Sequence, residues 1–145
     1  MGRGTIDQLF VIRQLAEKYC EQNRTMYNNF IDFKQAFDSV WQKGLWQVLR
    51  TYGIPEHLIQ LLEDLYSKSL SALRVDSELT EWFRVTVGAR QGCNLSPYLF
   101  NFLLEAIMQH ALAETEAGVT ISGEVVNNLR FADDIDLIAE TEEQL

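Results

Sequence analysis

The sequence predicts an α+β fold, with helices packed on one face of a mainly antiparallel sheet. Three observations predict it: stretches with apolar residues at helical spacing, short β-rich runs intermixed with them, and turn residues at the joins. The first helix is expected from a capping box, Thr5 with Gln8, and its apolar face is Ile6, Leu9, Phe10, Leu15, Ala16 and Tyr19. Asn23-Arg24 ends it. A strand follows over 26–33, its alternation weakened by Asn28-Asn29. A second helix over 41–52 stops at Gly53, and Pro55 opens a third with Leu58, Leu61, Leu62 and Leu65 facing inward. Strands at 70–75 and 82–87 are joined as a hairpin by the polar segment 76–81. A loop with two glycines, 88–95, then leads into Ser96-Pro97, a cap and first-turn pair. The helix it starts has Leu99, Phe102, Leu103, Ile107 and Ala111 on its expected inner face. Ser122-Gly123 turns a small hairpin between 119–121 and 124–126. The last pattern is a strand over 129–132, the pair Asp133-Asp134, and a strand over 135–138.

A chain of 145 residues is expected to be one domain or a piece of one, and with 47% hydrophobic residues it can bury a core without staples. No apolar run approaches the roughly 18 residues that span a bilayer; the richest, over 98–108, is broken by Asn101 and Glu105. The N-terminus lacks the basic-then-apolar layout of a secretory signal, and Cys20 and Cys93 form no metal or disulfide pattern. A soluble protein in a reducing intracellular setting, nuclear or cytoplasmic, is the expectation. Net charge is −9 and uneven: residues 1–104 balance 11 acids with 11 bases, whereas 105–145 hold 10 acids against Arg130 alone. Such an acidic end counts against nucleic-acid binding by this chain by itself, which needs a basic footprint.

Asp133-Asp134 is the most unusual feature. Adjacent carboxylates between apolar strand segments repel each other unless water or a cation neutralises them. Because side chains on a strand alternate faces, both can serve one site only at a hairpin bend. By itself such a pair is more often a surface turn than a metal site. Two Mg²⁺ ions roughly 3.5–4 Å apart need a further carboxylate from a neighbouring strand. Asp32, ending the apolar run Phe30-Ile31, is the candidate, and spacing alone does not separate it from Asp38, which also reads as a helix-entry residue. Asp136 reads as a solvent-facing strand residue. His57 and His110 lie in amphipathic helices and read as surface or core residues, and Cys93 as a small packing residue.

Three segments occur in order: Phe-Ile-Asp-Phe-Lys-Gln-Ala-Phe-Asp-Ser-Val (30–40), Gly-Ala-Arg-Gln-Gly-Cys-Asn-Leu-Ser-Pro-Tyr-Leu-Phe-Asn (88–101) and Leu-Arg-Phe-Ala-Asp-Asp-Ile-Asp-Leu (129–137). Together they resemble the three core palm motifs of reverse transcriptases, specifically those of non-LTR, LINE-like retrotransposons. Gly2-Arg3-Gly4-Thr5-Ile6-Asp7-Gln8-Leu9 resembles the segment preceding the first of them, so the likeness covers essentially the whole chain.

The resemblance implies a palm fold with an N-terminal helix from the fingers: a single partial domain over 1–145, with 1–24 on the fingers side and 25–145 as palm core. The family's upstream finger segment, thumb and any endonuclease region are expected to be missing, which leaves an acidic catalytic floor without its basic groove. The resemblance selects Asp32, five positions before the bulky Phe37, to join Asp133 and Asp134 as catalytic metal ligands for two Mg²⁺, with Mn²⁺ as substitute. Asp133 ranks above Asp134 as a ligand. One ion would help activate a primer 3′-hydroxyl and the other would neutralise the triphosphate; alignment and charge neutralisation carry such phosphoryl transfer. Phe37 matches the family's steric gate against a ribose 2′-hydroxyl. Gln91 and Gly92, with Arg90, match the loop that borders nucleotide and template. The implied partners are an RNA template, a DNA primer and deoxynucleoside triphosphates, with no membrane. The implied activity is RNA-directed DNA polymerase, weak or absent in this chain by itself; the alternative is an inactive relic or domesticated palm module serving as an interaction domain.

Overall fold

The computed structural model describes residues 4–113, 115, 117–121 and 123–145, and its mixed helices and antiparallel strands are those of an α+β protein. In place of one broad sheet, the strands form one three-stranded sheet and three two-stranded ribbons. Most of the strands stop after two or three paired residues. Contacts divide the chain into two compact units, Met1–Lys34 with Leu112–Leu145, and Gln35–Ala111.

In the first unit, helix α1 (Thr5–Glu21) precedes strand β1 (Tyr27–Asp32). The cap of α1 is Gly4 rather than Thr5: the Asp7 carboxylate accepts the Gly4 N–H at 2.7 Å, and the Gln8 amide instead donates to the Arg130 carbonyl at 3.2 Å. The helix ends where sequence says, with Asn23 at φ 52° and the Arg24 N–H returning to the Tyr19 carbonyl at 2.9 Å. Only part of its expected inner face is covered. Leu15 and Tyr19 are buried with Val119 and Ile138, whereas Ile6, Leu9 and Phe10 are exposed. A hairpin at 119–126 follows, its turn residue Ser122 lying outside the described residues. Two further strands, Asn128–Phe131 and Asp134–Ala139, complete the three-stranded sheet, with Asp134–Ala139 central between β1 and Asn128–Phe131. At the far end of the central strand, Glu140 accepts from the Tyr19 hydroxyl at 2.7 Å and from the Arg24 guanidinium.

The second unit holds helices α2 (Gln42–Thr51), α3 (Glu56–Ser67) and α4 (Ser96–Ala111). Gly53, at φ 74°, ends α2 as expected, and α3 follows Pro55. The inward residues of α3 are Ile59 and Tyr66; Leu58, Leu61 and Leu65 are exposed. In α4 the buried stripe is Ser96, Leu99, Phe100, Leu104 and Met108, rotated from the expected one, and Ile107 is exposed. Both stripes have helical spacing. An apolar helix offers more than one such stripe, and contact with α2 selects between them. Ser96 does not cap α4 through its side chain; it is the first helical residue, and its hydroxyl donates to the Arg90 carbonyl at 2.6 Å. Trp46 meets Tyr66 edge-on at 5.3 Å. The expected 70–87 hairpin is two nested ribbons, Leu70–Ser71 with Phe83–Arg84 and Arg74–Val75 with Glu78–Leu79, closed by Asp76-Ser77 at positive φ.

Gly88 (φ 93°) lies so close to the segment before α2 that a Cβ there would sit 2.8 Å from the Asp38 carbonyl oxygen. At Gly53 a Cβ would meet open space. Gly53→Ala is therefore expected to cost only the left-handed strain, about 1 kcal/mol, and Gly88→Ala clearly more, as read by urea denaturation. Glu140 yields the pH dependence. The Tyr19 hydroxyl first, and Arg24 next, hold its carboxyl below the usual glutamate range. A depressed folded pKa contributes stability above the unfolded value and loses it as pH falls. The urea-midpoint gap between wild type and Glu140→Gln should therefore stand at pH 7 and close below about pH 4.

Candidate active site

We number the last two strands β8 (Asn128–Phe131) and β9 (Asp134–Ala139), after β2 (Leu70–Ser71), β3 (Arg74–Val75), β4 (Glu78–Leu79), β5 (Phe83–Arg84), β6 (Val119–Ile121) and β7 (Glu124–Val126). β8 and β9 form a hairpin whose last pair is Phe131 with Asp134, so Ala132 and Asp133 are its two turn residues. Ala132 has φ 53°. Positive φ at the first turn position is the habit of a type II′ turn, where glycine is usual; an alanine there holds roughly 1 kcal/mol of strain. Asp133 thus sits at the bend and Asp134 opens β9.

β1 runs antiparallel to β9 in a register that sets Asp32 directly opposite Asp134, with Ile31 opposite Ile135. Directly opposed residues share a face, with Cβ atoms roughly 4.5–5.5 Å apart. Asp32 and Asp134 are exposed and Asp133 is half-buried. Asp32 and Asp134 line a groove of about 360 Å³ beside α1, together with Leu9, Phe30, Phe131 and Asp136. The donor set is all carboxylate oxygen, the chemistry Mg²⁺ and Mn²⁺ prefer, although among the described residues no three His, Cys, Asp or Glu side chains are grouped closely enough to hold a metal ion.

Asp136 is corrected by the structure. It is not solvent-facing but only 4% exposed, because β9 is the central strand. The Asn28 amide donates to its Oδ2 at 2.7 Å, and its Oδ1 has no hydrogen-bond partner. Burial pushes its carboxyl up and the Asn28 bond partly offsets that. The sequence signal was present: Asp136 lies two residues beyond Asp134 in an apolar strand, and Asn28 breaks the alternation of the strand it pairs with.

The other sequence-derived residues lie in the second unit. Residues 34–39 form turns, with Gln35 at φ 54°. Phe37 is half-buried, its ring stacked on Phe100 of α4 at 4.6 Å between centroids. The 88–91 loop clasps this segment. The Ala89 N–H donates to the Phe37 carbonyl at 2.7 Å, the Gly88 N–H to the Val40 carbonyl at 2.9 Å, and the Gln42 amide to the Gly88 carbonyl at 2.9 Å. Gln91 donates to Asp38 Oδ1 at 2.9 Å. Asp38 is therefore no helix cap, since α2 starts at Gln42 after Trp41; it holds Gln91. Arg90 and Gln91 border an open cavity of about 1100 Å³ whose wall includes Asp38, Gln42 and Lys68. Gly92 has φ 74° and open space around it. His57 and His110 are exposed, and both cysteines are free.

The chain matches the family model for reverse transcriptase (RNA-dependent DNA polymerase) over residues 2–145. It is 35% identical over 120 residues to the retrovirus-related Pol polyprotein of the type-1 retrotransposable element R2 of Nasonia vitripennis, covering 83% of this chain and 12% of that protein. To the corresponding polyprotein of the type-2 element R2DM of Drosophila melanogaster it is 28% identical, over 95% of this chain and 13% of that one. To the RNA-directed DNA polymerase from the mobile element jockey of Drosophila funebris it is 25% identical, over 97% of this chain and 15% of that one. The chain thus spans only about an eighth of the length of the first two relatives. By its motifs, its fold class and these matches, the chain belongs to the reverse transcriptase family.

Proposed function

We propose that this chain carries the catalytic centre of a retrotransposon RNA-directed DNA polymerase, which joins deoxynucleoside triphosphates to a DNA primer along an RNA template. The observation that carries the reading is the β1–β9 register, which faces Asp32 with Asp134 beside the bend that bears Asp133. Two carboxylates directly opposed on a sheet repel one another, an arrangement that costs stability and that a divalent cation relieves. Asp32, Asp133 and Asp134 are the residues that would hold Mg²⁺ or Mn²⁺. A divalent cation held there would supply charge neutralisation for the triphosphate and would lower the pKa of the primer 3′-hydroxyl.

The chain's own residues contribute position. The backbone of β1 and β9 fixes the two opposed carboxylates on rigid strands, while Asp133 gains its orientation from the turn. Phe37 presents a ring whose swing is blocked by Phe100, and a fixed ring beside the sugar excludes a 2′-hydroxyl by volume. Gln91, held by Asp38, and the open backbone at Gly92 are the groups we assign to nucleotide and template contact, with Arg90 adding a guanidinium suited to phosphate. The activity named for the jockey relative supports this reading.

The test places this chain in an R2 polyprotein in exchange for the matching segment and measures primer extension on an RNA template. Asp32→Asn or Asp133→Asn should lower extension by roughly 10²–10³-fold or more, the scale of losing one transition-state electrostatic contact. Undiminished extension by either variant would remove that residue from the site. In the same protein Phe37→Ala should raise ribonucleotide incorporation relative to deoxynucleotide, read as the ratio of the two kcat/KM values; an unchanged ratio would refute the gate. The 145-residue chain by itself should extend primer–template weakly or not at all.

A further inference from the structure

We propose that the Asn28–Asp136 pair sets the register of β1 on β9, making Asp136 a positioning residue that keeps Asp32 opposite Asp134. The register claim stands on the sheet itself; its catalytic meaning rests on the function proposed above.

The apolar pattern of the two strands does not choose this register. A one-residue slip would turn the side chains to the wrong face, but a two-residue slip keeps both faces. In the observed register Phe30 lies opposite Asp136 and Asn28 opposite Ile138, so each apolar residue on that face meets a polar one. Sliding β1 by two residues toward the far end of β9 would put Phe30 opposite Ile138, Asn28 opposite Glu140 and Asp32 opposite Asp136. By side-chain matching alone that arrangement is the better one, yet it separates Asp32 from Asp134. The opposite slip would carry Ile31 and Asp32 past the hairpin bend and forfeit their pairing.

Asp136 supplies what the apolar pattern lacks. Asn28 reaches it diagonally across the strands, a span that long side chains bridge, and closes a 2.7 Å hydrogen bond to a side chain that is 4% exposed. Its other oxygen is already unpartnered. The competing slip would remove the one donor the carboxylate has and bring a second carboxylate, Asp32, against it in a buried place. Both penalties belong to Asp136, and both act only against the slipped register. A buried polar group that gives up stability for a unique register is the best-attested use of such groups.

The experiment is assignment of cross-strand α-proton and amide contacts by NMR on the 145-residue chain. Wild type and Asp136→Asn, whose amide oxygen still accepts from Asn28, should show a single set of contacts pairing 32 with 134 and 31 with 135. The double variant Asn28→Ser/Asp136→Ser removes the diagonal bond and the buried charge but keeps a polar residue opposite Phe30 and Ile138; it should fold, and it should add a second set pairing 32 with 136 and 30 with 138. A folded double variant with the native set alone overturns the inference, as does a double variant that no longer folds, or a wild type with both sets. Mg²⁺ titration of the wild type separates this from the functional reading. Native contacts without any shift at the amides of 32, 133 and 134 count against the polymerase site and leave the register claim intact.

Discussion

The antiparallel register of β1 on β9 is the constraint on which the candidate site depends. It joins residues about a hundred positions apart and does so through backbone hydrogen bonds, which leave little freedom once the strands are paired. The cost is two like charges face to face at the end of the sheet. That cost is tolerable because Asp32 and Asp134 are exposed at the rim while Ile135 and Ile138 of β9 are buried, and Ile138 packs with Leu15, Tyr19 and Val119. The core under the sheet stabilises what the acids at its rim destabilise. This division between a stable scaffold and an electrostatically unfavourable edge is the usual condition of a site built to receive a charged ligand.

In the second unit a different device does the positioning. The segment carrying Phe37 and Asp38 has no regular secondary structure of its own, so its carbonyl groups need partners from elsewhere. The 88–91 loop supplies them through the Gly88 and Ala89 N–H groups, and Gly88 permits the approach that any Cβ would block. Gln91 closes the clasp on Asp38. Two of the three motifs that resemble the reverse transcriptase palm therefore bond to each other directly. Their spacing in sequence gives no hint of this.

Much of the fold was legible because its punctuation is local. Gly53, Pro55 and Asn23 act through the backbone of their immediate neighbours and each stands where the sequence puts it, whereas the bend of the last hairpin falls one residue early, at Ala132-Asp133, with Asp134 already in the strand. What failed depends on partners. The burial of Leu99, Phe100, Leu104 and Met108 in place of Ile107, or of Ile59 and Tyr66 in place of Leu58 and Leu61, is decided by which helix packs where. The Thr5 and Ser96 caps failed for a related reason, since Asp7 and the Arg90 carbonyl offered competing hydrogen bonds. For the site, residue types and order were readable, whereas Asp136 was misjudged because a strand's central position in a sheet is a property of its neighbours. The clasp of Gln91 on Asp38 is likewise non-local and left no periodic trace.

The charge imbalance can be sorted by the same logic. Of the acids in the C-terminal stretch, Glu140 is bonded by Tyr19 and Arg24, Glu105 accepts from Gln109 at 3.0 Å, and Asp136 is withdrawn from solvent beside Asn28. The carboxylates that neither a cationic side chain nor a hydrogen bond holds among the described residues include Asp133 and Asp134, and Asp32 from β1 adds a third beside them. An excess of negative charge spread evenly over a surface would repel a polynucleotide phosphate backbone everywhere. Placed along one edge of the sheet, the same charge would attract divalent cations, and under the proposed function such ions would let a triphosphate approach a surface that otherwise rejects it. The acidity that argues against nucleic-acid binding by the bare chain is, at this one position, the property that the polymerase reading requires.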